Sequence, residues 1–148
     1  MHQGETAVSF QDGLNRMPHQ GAMRLIKRVV IATDTHIHCV ASDHNVNDYP
    51  LRLNGTLFSV TLVELGAQAA AVHTSLYNIA NNHTGLLIGL KKVEFTKNVV
   101  GETSQNLDIY ADQIHFDADV ALYSFCVRSE EQEIVKGQAM LQMKVENE

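Results

Sequence analysis

The sequence predicts an α+β fold, a curved antiparallel sheet wrapped around one long helix, and three observations carry that prediction. A period-2 apolar pattern over residues 23–41 reads as a β-hairpin. A nearly unbroken apolar run from Leu57 to Ala71, LFSVTLVELGAQAAA, reads as a helix enclosed by protein on almost every side. Beyond it, Val, Ile, Phe and Tyr enrich four further strand-like segments. One helix cannot cover both faces of such a sheet, so the simplest packing curls the sheet around it. The chain has 148 residues, with no repeat, low-complexity stretch or Pro/Ser-rich linker. It is expected to form one domain over 1–148, large enough for a true core.

In chain order, residues 9–17 (SFQDGLNRM) suit a short helix that stops before Pro18, because the residue ahead of a proline avoids the helical region. Met23, Leu25 and Lys27 then alternate with Arg24, Ile26 and Arg28; a turn follows near Asp34, and HIHCVAS runs back as the second strand. His44 to Gly55 holds three Asn, a Pro and a Gly, a loop of the length that usually carries function. The helix is expected from about 56 to 79, with Asn54 or Thr56 supplying the N-cap oxygen and Asn81-Asn82-His83-Thr84-Gly85 ending it. Strands near 86–97, 103–114, 118–129 and 133–145 follow as a four-stranded meander. The expected core comprises Leu62, Leu65, Ala69, Val72 and Leu76 of the helix, with Phe95, Ile109, Phe125 and Val127 of the strands.

One carboxylate, Glu64, stands inside the apolar helix. Gln68 lies one turn further along the same face, and Leu57, Ala71 and Ser75 flank the pair. Burying an unpartnered carboxylate costs several kcal/mol or drives it to the neutral form. Such a group is kept for a chemical task, or it is a structural glutamate bonded to Gln68 or to loop backbone.

The remaining composition narrows the choices. Eleven Lys and Arg against 17 Asp and Glu give a net charge of −6 with no basic cluster, so no nucleic-acid partner is expected. Cys39 and Cys126 lie far apart in apolar runs and read as reduced core thiols. The N-terminal MHQGETAVSFQDG lacks an apolar signal core, and no run approaches the roughly 18 apolar residues of a membrane span. A soluble, cytoplasmic protein without membrane contact is expected. His36 and His38 share a strand face at two-ligand spacing, but no Cys, Asp or third His in the sequence completes a set, so no metal is expected. His73 falls on the helix face opposite Glu64 and reads as structural, while His2, His83 and His115 sit in polar or terminal contexts. His19 and His44 remain as catalytic or substrate-contacting candidates.

Three strings, in order and register over roughly residues 10 to 145, carry a resemblance: MPHQGAMRLIKRV (17–29), VELGAQAAA (63–71) and GLKKVEFTKNVVGE (89–102). Together they resemble the hotdog fold and, within it, the 3-hydroxyacyl-acyl-carrier-protein dehydratase family. The short Pro-His-x-Gly opening is most similar to divergent dehydratase-like proteins of aryl-polyene and related lipid pathways. The chain departs from the family at two places. Pro50 stands where the family carries a His in a Gly-His-Phe-Pro-Gly loop, and Phe58 and Ser59 replace the Pro-Gly that leads into the helix.

The resemblance implies dehydration of a 3-hydroxyacyl thioester, carried on acyl carrier protein or coenzyme A, without a cofactor. A base removes the α-proton, a carboxylic acid protonates the leaving hydroxyl, and N–H groups at the helix start polarise the thioester oxygen. Glu64 would be that acid, since an apolar groove favours a protonated carboxyl. Gln68 would orient it or touch the substrate, Leu57, Phe58 and Ser59 would line the thioester, and His19 or His44 would serve as base. A second reading is a hotdog thioesterase, in which the same lone carboxylate activates water. A third, favoured by the absent loop His, is a non-catalytic subunit that pairs with an active dehydratase paralogue. Hotdog protomers pair edge to edge, so a homodimer or a heterodimer with a paralogue is expected.

Overall fold

The computed structural model describes residues 24–41, 49–77, 83–100, 106–129 and 132–145. The helix expected over 9–17, together with His19 and His44, lies outside the described residues. Six antiparallel strands make one sheet: β1 (Arg28–Ala32), β2 (His36–Ala41), β3 (His83–Phe95), β4 (Leu107–Phe116), β5 (Val120–Ser129) and β6 (Gln132–Val145). Their spatial order is β1-β2-β4-β5-β6-β3. One helix, α1 (Val63–Tyr77), enters through a 3-10 turn at Ser59–Leu62 and packs against strands β2 to β6.

The pleat sorts the side chains. Along β5, Ala121, Tyr123, Phe125, Val127 and Ser129 are buried, while the residues between them are half-buried on the other face. Every residue of α1 from Leu65 to Leu76 is buried, so the helix is enclosed as its composition predicts. Leu62, Leu65, Ala69, Val72, Leu76, Ile109, Phe125 and Val127 all belong to the core. Gly66 sets how close helix and sheet come, because a Cβ there would overlap the ring of Phe125.

Several expectations need correction. The helical segment starts at Ser59, not near 56, because Asn54 and Gly55 adopt positive φ values of 52° and 82°. They form a two-residue turn across which Leu53 and Thr56 exchange backbone hydrogen bonds of 2.8 and 3.0 Å. Asn-Gly is the favoured sequence for such a turn. Neither Asn54 nor Thr56 therefore caps the helix, and Phe58 holds the N-cap position without a side-chain bond. At the far end, His83-Thr84-Gly85 begins β3 and does not stop the helix. The last four strands are not a simple meander. Only β4-β5-β6 follow one another; β3 pairs with β6 at the edge of the sheet and not with β4. Period-2 patterning marks a strand but not its neighbour, which is why the sequence misplaced β3. Phe95, expected in the core, is 43 % exposed, because it lies on this edge strand. The first strand begins at Arg28, and Leu25 and Ile26 ahead of it are both buried, which breaks the expected alternation.

Candidate functional site

Glu64 sits in the first turn of α1, where the helix emerges from the sheet, and is half-buried rather than buried. Gln68, one turn on, is 1 % exposed. Its Nε2 donates to Glu64 Oε2 at 3.0 Å, and its Oε1 accepts the backbone N–H of Leu25 at 2.9 Å. A helix carboxylate, a buried amide and the segment leading into β1 thus meet at one point.

The approach to the helix is stitched to the chain that leaves β3. Phe58 and Val99 form an isolated antiparallel bridge, with Ser59 N–H donating to Asn98 O at 2.8 Å and Val100 N–H to Leu57 O at 2.9 Å. The Ser59 amide is therefore already engaged within the protein. Leu57 and Ser59 are buried, Phe58 is exposed, and Ser59 Oγ has no hydrogen-bond partner among the described residues. Phe58 and its bridge partner Val99 are exposed, as are Val60 and, on β3, Leu90 and Phe95. Val60 precedes Glu64 by one turn. Leu90 and Phe95 pair with the buried Ala139 and Val135, which places both on the helix side of the sheet at its β3 edge.

His73 is buried and structural, as its position implied. Its Nε2 lies 2.8 Å from Thr33 O, and a carbonyl only accepts, so Nε2 carries the proton. Nδ1, 2.6 Å from Tyr123 Oη, then accepts the phenol proton. Gln113 Nε2 donates to the same oxygen at 3.1 Å, and Thr74 Oγ1 lies 3.1 Å from it. Burial lowers the His73 pKa and pushes Tyr123 up to about 12, so both stay neutral.

His36 and His38 have acidic partners that the sequence reading did not foresee. Strand β4 brings Asp112 to His36 at 2.7 Å and Asp108 to His38 at 2.8 Å, and His38 stacks on Tyr110 with centroids 4.3 Å apart. No group of three or more His, Cys, Asp and Glu side chains suited to a metal occurs among the described residues. The expectation of two core thiols holds for Cys39 alone, since Cys126 is half-buried on the helix-free face. Burial raises both thiols, Cys39 to about 12. A depression of about 360 Å³ opens on that helix-free face, lined in part by Lys92, Tyr110, Cys126 and Lys136, and Glu64 is not among its walls. Glu94 and Asp112 also line it.

The sequence pointed to Glu64 and Gln68 but not to Leu25 or Asn98. Both of these act through backbone atoms, which leave no side-chain signal.

The family model described as ApeP dehydratase matches residues 14–146. No curated protein sequence matches the chain. Among solved structures, a chain of the dehydratase heterocomplex ApeI:P from Xenorhabdus doucetiae is 22% identical, with a TM-score of 0.74 and 91% of each chain covered. A thioesterase family protein from Silicibacter pomeroyi is 14% identical, with a TM-score of 0.70 over 95% of this chain and 98% of that one. A hypothetical thioesterase from Streptococcus pneumoniae, solved with coenzyme A, is 12% identical, with a TM-score of 0.60 over 97% and 100%. At these identities the likeness establishes the hotdog fold and nothing finer. No helix among the described residues is long and apolar enough to cross a membrane.

Proposed function

Because the chain belongs to the ApeP-like dehydratase family, we propose that it is a dehydratase-like subunit for 3-hydroxyacyl thioesters whose site is completed by a second hotdog protomer. One observation carries this reading: Glu64 takes a hydrogen bond from the buried Gln68 amide and stands half-buried in the first turn of α1, one turn beyond the exposed Val60. Leu90 and Phe95, exposed on the edge strand β3, are apolar side chains of the kind that a partner covers. In the reaction a base removes the α-proton, the Cβ–O bond breaks, and Glu64 gives its proton to the departing hydroxyl. Water leaves and the thioester stays intact. Phe58, the exposed residue of the helix entry, lines the thioester end with the buried Leu57 and Ser59 behind it, and acyl carrier protein or coenzyme A is the handle.

The base is the missing piece. Pro50, at the family's His position, has no titratable group, which leaves His19, His44 or a residue of the partner. The relative from Xenorhabdus doucetiae is named as a heterocomplex, which favours a paralogue over a second copy as the other half.

The test is a 3-hydroxyacyl thioester assay on wild type and Glu64→Gln, alone and with the paralogue, beside thermal melts. Glu64→Gln keeps shape and hydrogen bonding, so turnover should vanish while the melting temperature stays equal or rises. A structural Glu64 gives the reverse, altered stability with activity intact. Release of free thiol in place of water would convert the reading to a thioesterase.

A further inference from the structure

We propose that the helix-free face of the sheet docks a second copy of this chain, face to face about a two-fold axis along β5, a contact separate from the β3 edge and independent of the dehydratase reading. Residues directly opposite each other in a sheet point the same way, so the register gives this face its layout. At one end Leu122 lies opposite Met140, and Leu86 lies opposite Gln142. Leu122 and Met140 are half-buried and Leu86 is 45 % exposed, so apolar side chains meet solvent there.

At the other end the two sides of β5 differ in charge. β4 carries Asp108 and Asp112, each paired with a β2 histidine. On β6 and β3, Lys136 lies opposite Glu94 and Lys91 opposite Gln138. Lys92 joins them through a bulge, at a φ of 57° that a lysine adopts only at a cost, and lines the same depression as Lys136. Three lysines outweigh Glu94, and among the described residues none of the three is in an ion pair. Arg128 and Glu133 lie opposite each other and cancel.

Stacked sheets stand about 10 Å apart, within reach of Lys and Leu side chains. An axis along β5 keeps each residue at its own height along the strands and exchanges left for right. Leu122 then faces its own copy and the apolar ends meet. β4 of each copy covers β6 of the other, so lysines lie over aspartates on both sides of the axis. An axis across the strands does neither, since it sets β6 on β6 and the apolar end on the charged one. A uniformly acidic or basic partner would meet its own sign on half of the face, which leaves a copy of the chain as the complementary surface. Exposed ion pairs are individually weak, so this contact forms only at protein concentrations well above those at which the β3 edge pairs.

Sedimentation tests it on chains carrying Leu90→Lys and Phe95→Lys, which block the β3 edge. At about 200 µM these chains should pair, and the pairing should weaken several-fold between about 50 and about 500 mM salt. Adding Lys91→Glu with Lys136→Glu makes both sides acidic, and adding Asp108→Lys with Asp112→Lys makes both basic; each alone should lose the pair. Mixed in equal amounts, the two variants should regain it, because acid then faces base at both contacts. A parent that stays monomeric, variants that pair as well as the parent, or a mixture that does not pair overturns the proposal. Should a charge-reversed chain fail to fold, position 122 decides, since it faces itself across the axis. Leu122→Asp and Leu122→Lys should each lose the pair alone and regain it together, and a mixture that stays monomeric is equally fatal.

Discussion

Glu64 and His73 ride on the same helix in contrasting surroundings, the one half-buried and the other buried. His73 has its proton position dictated by a carbonyl and its second nitrogen saturated by a phenol, so it can neither give nor take a proton without breaking the network. This has a consequence for stability. Burial depresses the folded-state pKa of His73 below its ordinary value, with Thr33 O and the carboxylates of Asp34 and Asp112 opposing the shift and His36 adding to it. Above about pH 6.5 the ring is neutral in both folded and unfolded chains and contributes no pH dependence. Below that, the unfolded chain takes up a proton that the folded protein refuses, so stability is lost as pH falls toward the depressed folded value. Melting temperatures at about pH 7.5 and about pH 5.5 should show the drop in wild type and a shallower one in His73→Gln. Equal slopes would mean that His73 titrates freely in the fold. Glu64, by contrast, is half-buried, and the Gln68 amide donates to its Oε2 at 3.0 Å.

At the scale of elements, α1 is where sequence and structure agree best, because an all-round apolar helix has few alternatives to burial. Leu65→Ala should cost about 2–5 kcal/mol by opening a core cavity, read as a lowered urea midpoint at unchanged slope. Gly66→Ala is a sharper check on the packing. Helix propensity alone would make it stabilising by up to about 1 kcal/mol. The overlap of the new methyl with the Phe125 ring should outweigh that with about 1–3 kcal/mol of overpacking, so the variant should be less stable than wild type. A gain in stability would show that helix and sheet separate easily. The helix start was less legible. Asn54 could be a cap or half of a two-residue turn, and the Gly beside it decided for the turn because both positions take positive φ. Strand neighbours were the least legible element of all. Nothing in the composition of β3 says that it lies beside β6, since pairing is settled by the wrap of the sheet around α1. The two carboxylates facing His36 and His38 were hidden for the same reason, as they arrive through the register of β4 against β2.

For the whole molecule, the sheet ends on one side at β3, and the exposed Leu90 and Phe95 belong to that edge. An unpaired, apolar strand edge is a template for another chain, which makes pairing the natural outcome. Leu90→Lys and Phe95→Lys alter only side chains that are already exposed, so each protomer should stay folded while light scattering reports loss of the paired species. The most direct measurement is the rate of enoyl-thioester formation from a 3-hydroxyacyl thioester as this chain is titrated into its hotdog paralogue. The rate should rise and level off at equal amounts of the two chains with wild type, and should not rise with Glu64→Gln. A rate indifferent to the added chain, or one that Glu64→Gln restores as well as wild type does, would contradict the assignment of Glu64 as the acid of a shared dehydratase site.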